Sequence, residues 1–327
     1  MALQKLLLAA PRGYCAGVDR AVQTVLGALE LYGAPVYVRK EIVHNKHVVE
    51  QLQARGAAFV ESETDVPEGA TVVFSAHGVA PSVHAAARRR ALRTIDATCP
   101  LVTKVHVEAR KFAGDGYTIV LVGHAGHEEV EGTMGEAPDH IILIESAQDV
   151  DRLEVRDPSK VAYISQTTLS VDETRAIISR LRERFPAIIG PRTDDICYAT
   201  TNRQAAVKQL ARECELVLVI GSHNSSNSNR LVEVAREHGA DSHLIDNEGQ
   251  VRDEWLTGKR VVGITSGASA PEQLVQRLVD FFRARGTSDV QQLEVVQEDV
   301  RVLLPPLIRQ AVAGARGEGS AALRVKA

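Results

Sequence analysis

The feature that most constrains the fold is a cysteine that occurs three times in the same local setting. Cys15, Cys99 and Cys197 each follow a short apolar run, and each precedes a helical pattern. Cys99 lies 84 residues after Cys15, and Cys197 lies 98 residues after Cys99. These spacings match a small domain and are much longer than the repeat of a solenoid. The chain is therefore predicted to contain three related units, each with one cysteine in an equivalent position.

Strand and helix patterns alternate between these cysteines, which is typical of parallel sheets covered by helices. Continuous apolar runs at 119–122 and 216–220 indicate strands that are buried on both faces. In such sheets, ligands bind beyond the carboxyl ends of the strands. Each unit is predicted to place its cysteine and two polar turns at that edge, so that nine turns face one cavity.

The predicted fold is therefore α/β, with three small parallel-sheet α/β domains in a pseudo-threefold (trefoil) arrangement around a central cavity for a metal cluster. The third unit lacks a final strand that leads to a cysteine. The N-terminal strand Leu6–Ala10, which leads to Cys15, is predicted to fill that place and close the ring. The expected boundaries are 14–97 for the first unit, 98–194 for the second, 195–286 with the N-terminal strand 1–13 for the third, and 287–327 for a C-terminal tail.

The tail carries weaker signals. Residues 293–307 contain a strand-like part that ends at Pro305-Pro306. Residues after Ala311 are rich in Ala, Gly, Arg and Ser, a composition that predicts disorder.

Composition and charge exclude several classes of function. The net charge of −4 gives no sign of nucleic-acid binding. No apolar run approaches the ~18 residues of a membrane span, and the N-terminus lacks a secretion signal. We therefore expect a cytoplasmic protein without membrane or nucleic-acid partners. Structural disulfides are rare in that compartment, which leaves metal binding, redox chemistry or core packing for the four cysteines.

Three converging thiolates suit an iron–sulfur cluster. A cubane cluster needs four ligands, so three cysteines would leave one iron open. Each of the three cysteines lies just before a helix, where the helix dipole favours a thiolate. A three-cysteine zinc site is an alternative that spacing does not exclude. Plain burial is the other alternative, and it is the interpretation preferred for Cys214, which lies late in a helix and outside the repeated position.

The polar turns supply histidines, hydroxyls and amides. Such groups near helix N-termini can hold a phosphate or diphosphate, here through hydrogen bonds and protonated histidine because lysine is nearly absent from the turns. Taken one at a time, the hydroxyl and amide residues are more simply interpreted as helix N-caps, whereas their alignment across the three repeats favours a binding role for the set. A carboxyl group confined in such a turn is a common proton donor, and Glu129 holds that position. The candidate binding residues are His44, His77, His127, Thr167, Thr168, Ser225, Ser226, Asn227 and Ser269.

Several long stretches together resemble the LytB/IspH family. The stretches that carry this resemblance over roughly residues 5–285 are Pro11–Arg20, Val43–Asn45, Ser75–Val79, Asp96–Val102, Gly123–His127, Val130–Thr133, Ser165–Leu169, Asp195–Gln204, Asn224–Arg230 and Thr265–Pro271. The family is that of 4-hydroxy-3-methylbut-2-enyl diphosphate reductase, the last enzyme of the non-mevalonate (MEP) isoprenoid route. The resemblance implies that this chain reduces that allylic diphosphate to isopentenyl and dimethylallyl diphosphates, with reduced ferredoxin or flavodoxin as electron donor.

The resemblance also implies roles for individual residues. Cys15, Cys99 and Cys197 would hold a [4Fe–4S] cluster, and the substrate hydroxyl would bind its open iron. Thr167 would orient that hydroxyl group, and Glu129 would deliver protons through it. His127 would act at the diphosphate or in the proton relay. The diphosphate would be held by His44, His77, Ser225, Ser226, Asn227 and Ser269.

One residue departs from the family pattern. Glu128 stands between the histidine and the glutamate of this turn, where the family commonly has proline. The added charge leaves the spacing intact but bears on the pKa of Glu129. Two other functions remain open, a quinolinate-synthase-like three-cysteine dehydratase that needs no external electrons and a non-catalytic iron–sulfur sensor.

Overall fold

The computed structural model describes residues 3–310 and contains three parallel sheets. The disorder predicted after Ala311 lies outside the described residues. One sheet has four strands, Val36–Arg39 (β2), Ala57–Val60 (β3), Thr71–Phe74 (β4) and Arg93–Asp96 (β5), in the order β3-β2-β4-β5. A second has Thr118–Val122 (β6), Ile141–Ile144 (β7) and Val161–Ser165 (β8), in the order β7-β6-β8. The third has Lys5–Ala10 (β1), Leu216–Ile220 (β9), Asp241–Ile245 (β10), Val261–Ser266 (β11) and Asp289–Glu294 (β12), in the order β10-β9-β11-β1-β12.

Helices connect the strands. They are Ala16–Tyr32 (α1), Lys46–Ala54 (α2), Pro81–Arg89 (α3), Pro100–Gly114 (α4), Glu128–Met134 (α5), Ala147–Arg152 (α6), Val171–Arg184 (α7), Tyr198–Glu213 (α8), Ser226–Glu237 (α9), Asp253–Leu256 (α10) and Glu272–Ala284 (α11). No helix within residues 3–310 is both long enough and apolar enough to cross a lipid bilayer.

The strand orders confirm the threefold repeat. The third sheet without β12 has the same order as the first, with β1 in the place of β5. In both sheets this last strand leads to a cysteine, Cys99 after β5 and Cys15 after β1. β1 pairs with β11 in parallel register, Lys5 opposite Val261. The predicted trefoil of three small parallel α/β units is therefore confirmed, and the N-terminal strand does complete the third sheet.

The second unit departs from the prediction in one strand. The apolar run before Cys197 forms no full strand, unlike the runs before Cys15 and Cys99, and contributes only an isolated parallel bridge between Ile189 and Ala162. Gly190 passes so close to the Tyr163 ring that an added Cβ would lie 2.3 Å from it. The chain here packs its backbone against a side chain instead of extending the strand ladder.

The C-terminal region also differs from expectation. The strand-like signal of 293–307 corresponds to β12 at 289–294, which pairs with β1 over six residues. Residues 295–305 have no regular secondary structure. The Pro305-Pro306 pair therefore lies well beyond the end of the strand.

The core around the third sheet explains why the sequence of β9 is a continuous apolar run. Side chains alternate between the two faces of a strand. Leu216, Leu218 and Ile220 pack with the apolar side of α11, whereas Val217 and Val219 pack with α8 and α9. All five side chains are fully buried. Both faces of the sheet are therefore covered, as the run predicts.

Candidate active site

One cavity of about 220 Å³ lies where the carboxyl ends of the three sheets meet. Three thiols, three imidazoles, a carboxyl group and a set of hydroxyl and amide groups line it. All of the residues predicted as a site are among its lining: Cys15, His44, His77, Cys99, His127, Glu129, Thr167, Thr168, Cys197, Ser225, Ser226, Asn227 and Ser269. The structure thus brings together in one place residues that are separated by up to 254 positions in the chain.

Each of the three cysteines occupies the N-cap position of a helix. Cys15 precedes α1, Cys99 precedes α4 and Cys197 precedes α8, and all three have extended backbone angles. Pro100 at the first position of α4 favours a helix start there because its φ is already helical. The thiols consequently point from equivalent positions into the common cavity.

The thiols are close to one another. A Cβ added to Gly17 in the first turn of α1 would lie 2.8 Å from Cys99 Sγ and 3.8 Å from Cys15 Sγ. The pKa of Cys197 is raised in part by the charges of both other cysteines. The four cysteines of the chain are free, and Cys214 is buried in the core between β9 and α8 instead of in this cavity.

Burial controls the protonation of two of these thiols. It raises the pKa of Cys99 to about 11 and that of Cys197 to about 12. Backbone N–H groups at the start of each helix act in the opposite direction, as the helix dipole predicts, but burial outweighs them. Thiolates in this cavity therefore need a positive charge beside them. Three soft donors that ionise only next to a cation fit a thiolate-bound metal centre.

Glu129 is the buried carboxyl group of the site. Its side chain is 2% exposed. Its Oε1 accepts a hydrogen bond from the Thr167 backbone N–H at 2.6 Å, and its Oε2 lies 3.0 Å from Thr167 Oγ1. Burial raises the pKa of Glu129 to about 7, whereas the hydrogen bonds from Thr167 lower it and the charge of Asp195 raises it further. Such a group holds a proton near neutral pH and can release it.

The imidazoles of His44, His77 and His127 form a cluster in the cavity. The rings of His44 and His77 are stacked, with centroids 4.0 Å apart and 17° between their planes. The His127 ring meets both of them edge-on. His127 Nδ1 accepts a hydrogen bond from the Glu129 backbone N–H at 3.2 Å, which leaves its Nε2 as the donor.

The protonation of the histidines depends on what the cavity holds. Burial lowers the pKa of His127 to about 3, and the pKa of His44 is also lowered, first by burial and then by the charge of His77. Burial thus favours the neutral form of both imidazoles, whereas the charge of a bound anion would favour the protonated form, so the predicted protonated histidine stays a prediction. One nitrogen each from His44 and His77 and a carboxylate oxygen of Glu128 lie within 4.8 Å of one another. Because the two rings are stacked, their lone pairs run side by side and do not converge on a single ion.

The N-terminus of α9 faces the cavity with three polar residues. Ser225 is the N-cap, and its Oγ accepts a hydrogen bond from the Ser228 backbone N–H at 3.3 Å. Ser226 Oγ donates to the Thr168 carbonyl at 3.1 Å. Asn227 is 4% exposed, and neither its Nδ2 nor its Oδ1 has a hydrogen-bond partner among the described residues. Buried amides normally have partners, so Asn227 is placed for a ligand.

The hydrogen bonds of Ser225, Ser269 and Thr168 show which of these residues cap a helix. Ser225 is a helix cap, as the simpler interpretation predicts. Ser269 is not, because its Oγ donates to the His44 carbonyl at 2.9 Å and so ties the first unit to the third. Thr168 is not a cap either, since Ser170 caps α7. Thr168 Oγ1 instead accepts a hydrogen bond from Gln166 Nε2 at 3.0 Å.

Three nearby residues lie at the edge of the site. Glu128 turns away from Glu129, and its Oε2 lies 3.2 Å from His77 Nδ1. The charge of His77 and the hydrogen bond to it keep the pKa of Glu128 low, although burial opposes them. His124 contacts Arg230 at 2.8 Å. Neither His124 nor His223 is among the residues that line the cavity.

Sequence reasoning missed several lining residues. Thr200 Oγ1 lies 3.1 Å from Cys197 Sγ, and the Thr200 backbone N–H donates to the same sulfur at 3.3 Å. Tyr198 Oη accepts a hydrogen bond from the Ala16 backbone N–H at 3.1 Å, which joins the Cys197 helix to the Cys15 helix. Their positions one and three residues after Cys197 were the available signal for these two. Val300 and Val302 from the C-terminal region also line the cavity, and no sequence pattern pointed to them.

Comparisons with known proteins agree with this arrangement. The family model described as "LytB protein" matches residues 6–283. A 4-hydroxy-3-methylbut-2-enyl diphosphate reductase of Nocardia farcinica is 61% identical over 94% of this chain and 91% of its own length. A protein of the same name from Streptomyces coelicolor is 58% identical over 94% of this chain and 91% of its own length. The solved structure of the Plasmodium falciparum E-1-hydroxy-2-methyl-but-2-enyl-4-diphosphate reductase superposes with a TM-score of 0.92 at 36% identity, covering 97% of this chain and 100% of that one.

Proposed function

The chain belongs to the LytB protein family, and from this premise we propose that it reduces (E)-4-hydroxy-3-methylbut-2-enyl diphosphate. The reaction takes up two electrons and two protons, breaks the carbon–oxygen bond of the allylic alcohol, and releases water. Its products are isopentenyl and dimethylallyl diphosphates, which makes it the last step of the non-mevalonate isoprenoid pathway. The observation that carries the proposal is a buried carboxyl group with a pKa of about 7 in the same cavity as three converging thiols.

Cys15, Cys99 and Cys197 would hold a [4Fe–4S] cluster with one iron that lacks a protein thiolate. When bound, this cluster supplies the electrons and a Lewis-acidic iron for the substrate hydroxyl group. The raised pKa values of Cys99 and Cys197 support a cationic partner for the thiols. The contact between the thiol of Cys99 and Gly17 supports a site in which no side chain competes for the space among the sulfurs.

The diphosphate would be held between the imidazole cluster and the N-terminus of α9. Asn227 supplies an unpartnered buried amide there. The N-terminus of α9 supplies backbone N–H groups and a positive dipole end. His44, His77, Ser225, Ser226 and Ser269 surround the same space. Neutral donors in a buried pocket bind an anion strongly because water does not compete with them.

The proton path would run through Glu129 and Thr167. Thr167 Oγ1 lies 3.0 Å from Glu129 Oε2, both residues line the cavity, and the hydroxyl group can accept a proton from Glu129 while donating its own. The Thr167 backbone N–H fixes the carboxyl group in this position. Thr168 and His127 line the adjacent wall, and His127 presents its Nε2–H to the cavity. This chain's residues thus deliver the protons, and the leaving hydroxyl group departs as water.

We further infer a cytoplasmic location and a reduced ferredoxin or flavodoxin as the electron donor. Both inferences rest on the family alone. The reaction takes up two electrons, and a redox protein is the class of partner that would deliver them to the cluster one at a time.

The test is an anaerobic assay of the cluster-loaded protein with the hydroxymethylbutenyl diphosphate and a reduced viologen. Formation of both isoprenoid diphosphates with oxidation of the viologen supports the proposal. If neither product forms while the cluster spectrum is intact, the reductase assignment fails. Dehydration of a carboxylate substrate without viologen oxidation would support the dehydratase instead. A cluster that responds to oxygen without any turnover would support the sensor.

A further inference from the structure

The fourth side of the cavity is formed by the C-terminal segment, residues 295–310. This segment follows β12 and crosses from the third sheet toward α1. Val300 and Val302 line the same cavity as the three thiols. In an extended backbone, residues two apart point to the same side, which explains why these two valines face the cavity together.

One end of the segment is fixed by a buried ion pair. Glu298 Oε1 lies 3.0 Å from Arg203 Nη1, and Arg203 is completely buried. The same guanidinium donates to the Gly13 carbonyl at 2.7 Å and to the Ala199 carbonyl at 3.0 Å. Gly13 has φ 69° in the loop before Cys15, and Ala199 lies in the first turn after Cys197. Arg203 therefore joins the C-terminal segment to two of the three cysteine loops.

The other end is fixed by an apolar anchor. Ile308 is fully buried and packs with the core that contains α1. It fits against Gly27, where an added Cβ would lie 2.6 Å from Ile308 Cγ2. Between the two anchors, Arg20 Nε donates to the Leu303 carbonyl at 2.8 Å. A stretch without regular secondary structure is thus held at both ends and at its middle.

We propose that the C-terminal segment is a fixed wall of the cavity, which shields the three thiols from solvent and contacts the hydrocarbon part of the substrate through Val300 and Val302. The contact with substrate rests on the proposed function, whereas the shielding does not. Apolar side chains at this wall exclude water from a site where charge develops, and exclusion of water strengthens the electrostatic interactions inside. Because the segment is held by Glu298 and Ile308, a substitution at one of these anchors can detach the segment without changing the three cysteines.

The first experiment uses cluster-free, reduced protein and therefore needs neither substrate nor activity. The rate of iodoacetamide labelling is measured for each cysteine by mass spectrometry, and tryptic cleavage after Arg301 is followed in parallel. Ile308→Asp is expected to increase the labelling rates of Cys15, Cys99 and Cys197 and the rate of cleavage at least about tenfold. The reason is that loss of a fully buried aliphatic side chain shifts the docking equilibrium of the segment by that factor or more. Leu307→Asp is the matched control, since Leu307 is 50% exposed beside Ile308. Cys214 is the internal control, because it lies in the core between β9 and α8 and does not line the cavity that Val300 and Val302 cover.

A second variant controls for the possibility that the buried charge introduced by Ile308→Asp unfolds the protein. Gly27→Ala adds a single methyl group inside α1, where alanine is the better helix former. Its Cβ would displace Ile308, which has little freedom to move because its χ1 is restricted. We expect Gly27→Ala to accelerate the labelling of Cys15, Cys99 and Cys197 but not of Cys214. Unchanged cleavage after Arg301 in both variants would show that Ile308 is no anchor. Faster cleavage with unchanged labelling would show that the segment shields nothing, and either result overturns the proposal.

The substrate contact is tested separately in the cluster-loaded enzyme. The double variant Val300→Ser, Val302→Ser is expected to raise KM for the allylic diphosphate roughly fivefold, because two apolar contacts are lost. The inhibition constant of inorganic diphosphate should stay the same, since it lacks the hydrocarbon part. Leu303→Ser, at a side chain 70% exposed, is the control. An equal change for both ligands, or none for either, would contradict the contact. If the wild type has no reductase activity, the proposed function fails while the labelling result stands.

Discussion

Replacing Glu129 by glutamine tests the proton donor with little change in structure. Protonated Glu129 accepts from the Thr167 N–H through Oε1 and faces Thr167 Oγ1 with the other oxygen. A glutamine amide can make the same two interactions, because its oxygen accepts and its nitrogen donates. The variant therefore keeps the geometry of the protonated acid but has no proton to release. We expect Glu129→Gln to lose about 10²–10⁴ in kcat, the usual contribution of a general acid, while the cluster spectrum and KM change little.

The pH dependence follows from the raised pKa of this group. With a pKa of about 7, about half of the Glu129 side chains are protonated at pH 7 and about a tenth at pH 8. The wild-type rate at saturating substrate should therefore fall about fivefold between pH 7 and pH 8 and about tenfold between pH 8 and pH 9, and the residual rate of Glu129→Gln should not show this limb. The assay is anaerobic turnover with reduced viologen between pH 6 and 9. Normal turnover of the variant, or a flat wild-type profile, would refute the assignment of Glu129 as donor.

The same pKa predicts a change in stability that needs no turnover. Between about pH 4.5 and pH 7 the folded state of cluster-free protein holds a proton on Glu129 that the unfolded chain has lost. The folded state binds more protons, so the free energy of unfolding decreases as the pH rises through this window. The total decrease is roughly 3 kcal/mol, about 1.4 kcal/mol per pH unit. Urea unfolding of wild type and Glu129→Gln at pH 5 and pH 8 should therefore show the variant gaining about 3 kcal/mol relative to wild type at the higher pH. A constant difference between the two proteins would contradict the raised pKa.

Four further substitutions separate the cluster from the substrate site. Gly17→Ala should lose most of its iron, because the new Cβ would lie 2.8 Å from Cys99 Sγ; a normal iron content would show that the thiols lie elsewhere. Cys99→Ser should likewise lose iron, whereas Cys214→Ser should retain it, as measured by iron analysis and absorbance. Glu128→Gln removes a negative charge 3.2 Å from His77 Nδ1, and it should lower KM for the diphosphate roughly threefold without changing kcat. A changed kcat would mean that Glu128 also affects Glu129.

The cysteine positions and the sheets could be predicted because both follow from local patterns. Continuous apolar runs identified β6 and β9, and the repeated order of turns placed Cys15, Cys99 and Cys197 at equivalent edges. The closing role of β1 followed from counting strands in the third unit, and its pairing with β11 confirms it. The division of the chain at particular residues remains a prediction, because the strand ladders do not define where one unit ends.

What could not be predicted depends on contacts between distant parts of the chain. Glu298 and Arg203 are 95 residues apart, and neither carries a pattern that predicts a buried ion pair. The lack of a full strand at 187–190 could not be foreseen either, because the close approach of Gly190 to the Tyr163 ring joins residues 27 positions apart. The protonation states were also beyond sequence reasoning. A helix N-terminus favours a thiolate, but the pKa of Cys197 depends more on how much water the surrounding side chains exclude.

The three repeats have the same backbone but not the same chemistry. The backbone repeat gives each unit one N-cap cysteine, so the thiols are related by the pseudo-threefold arrangement. The polar turns in equivalent positions have diverged. Those of the first unit supply stacked histidines, those of the second supply Glu129 and Thr167, and those of the third supply the α9 N-terminus with Asn227. A symmetric thiol set is thereby surrounded by an asymmetric set of polar side chains, with imidazoles, a carboxyl group and an amide contributed by different units. That asymmetry is what an elongated substrate requires, because its charged end and its reacting end must meet different groups.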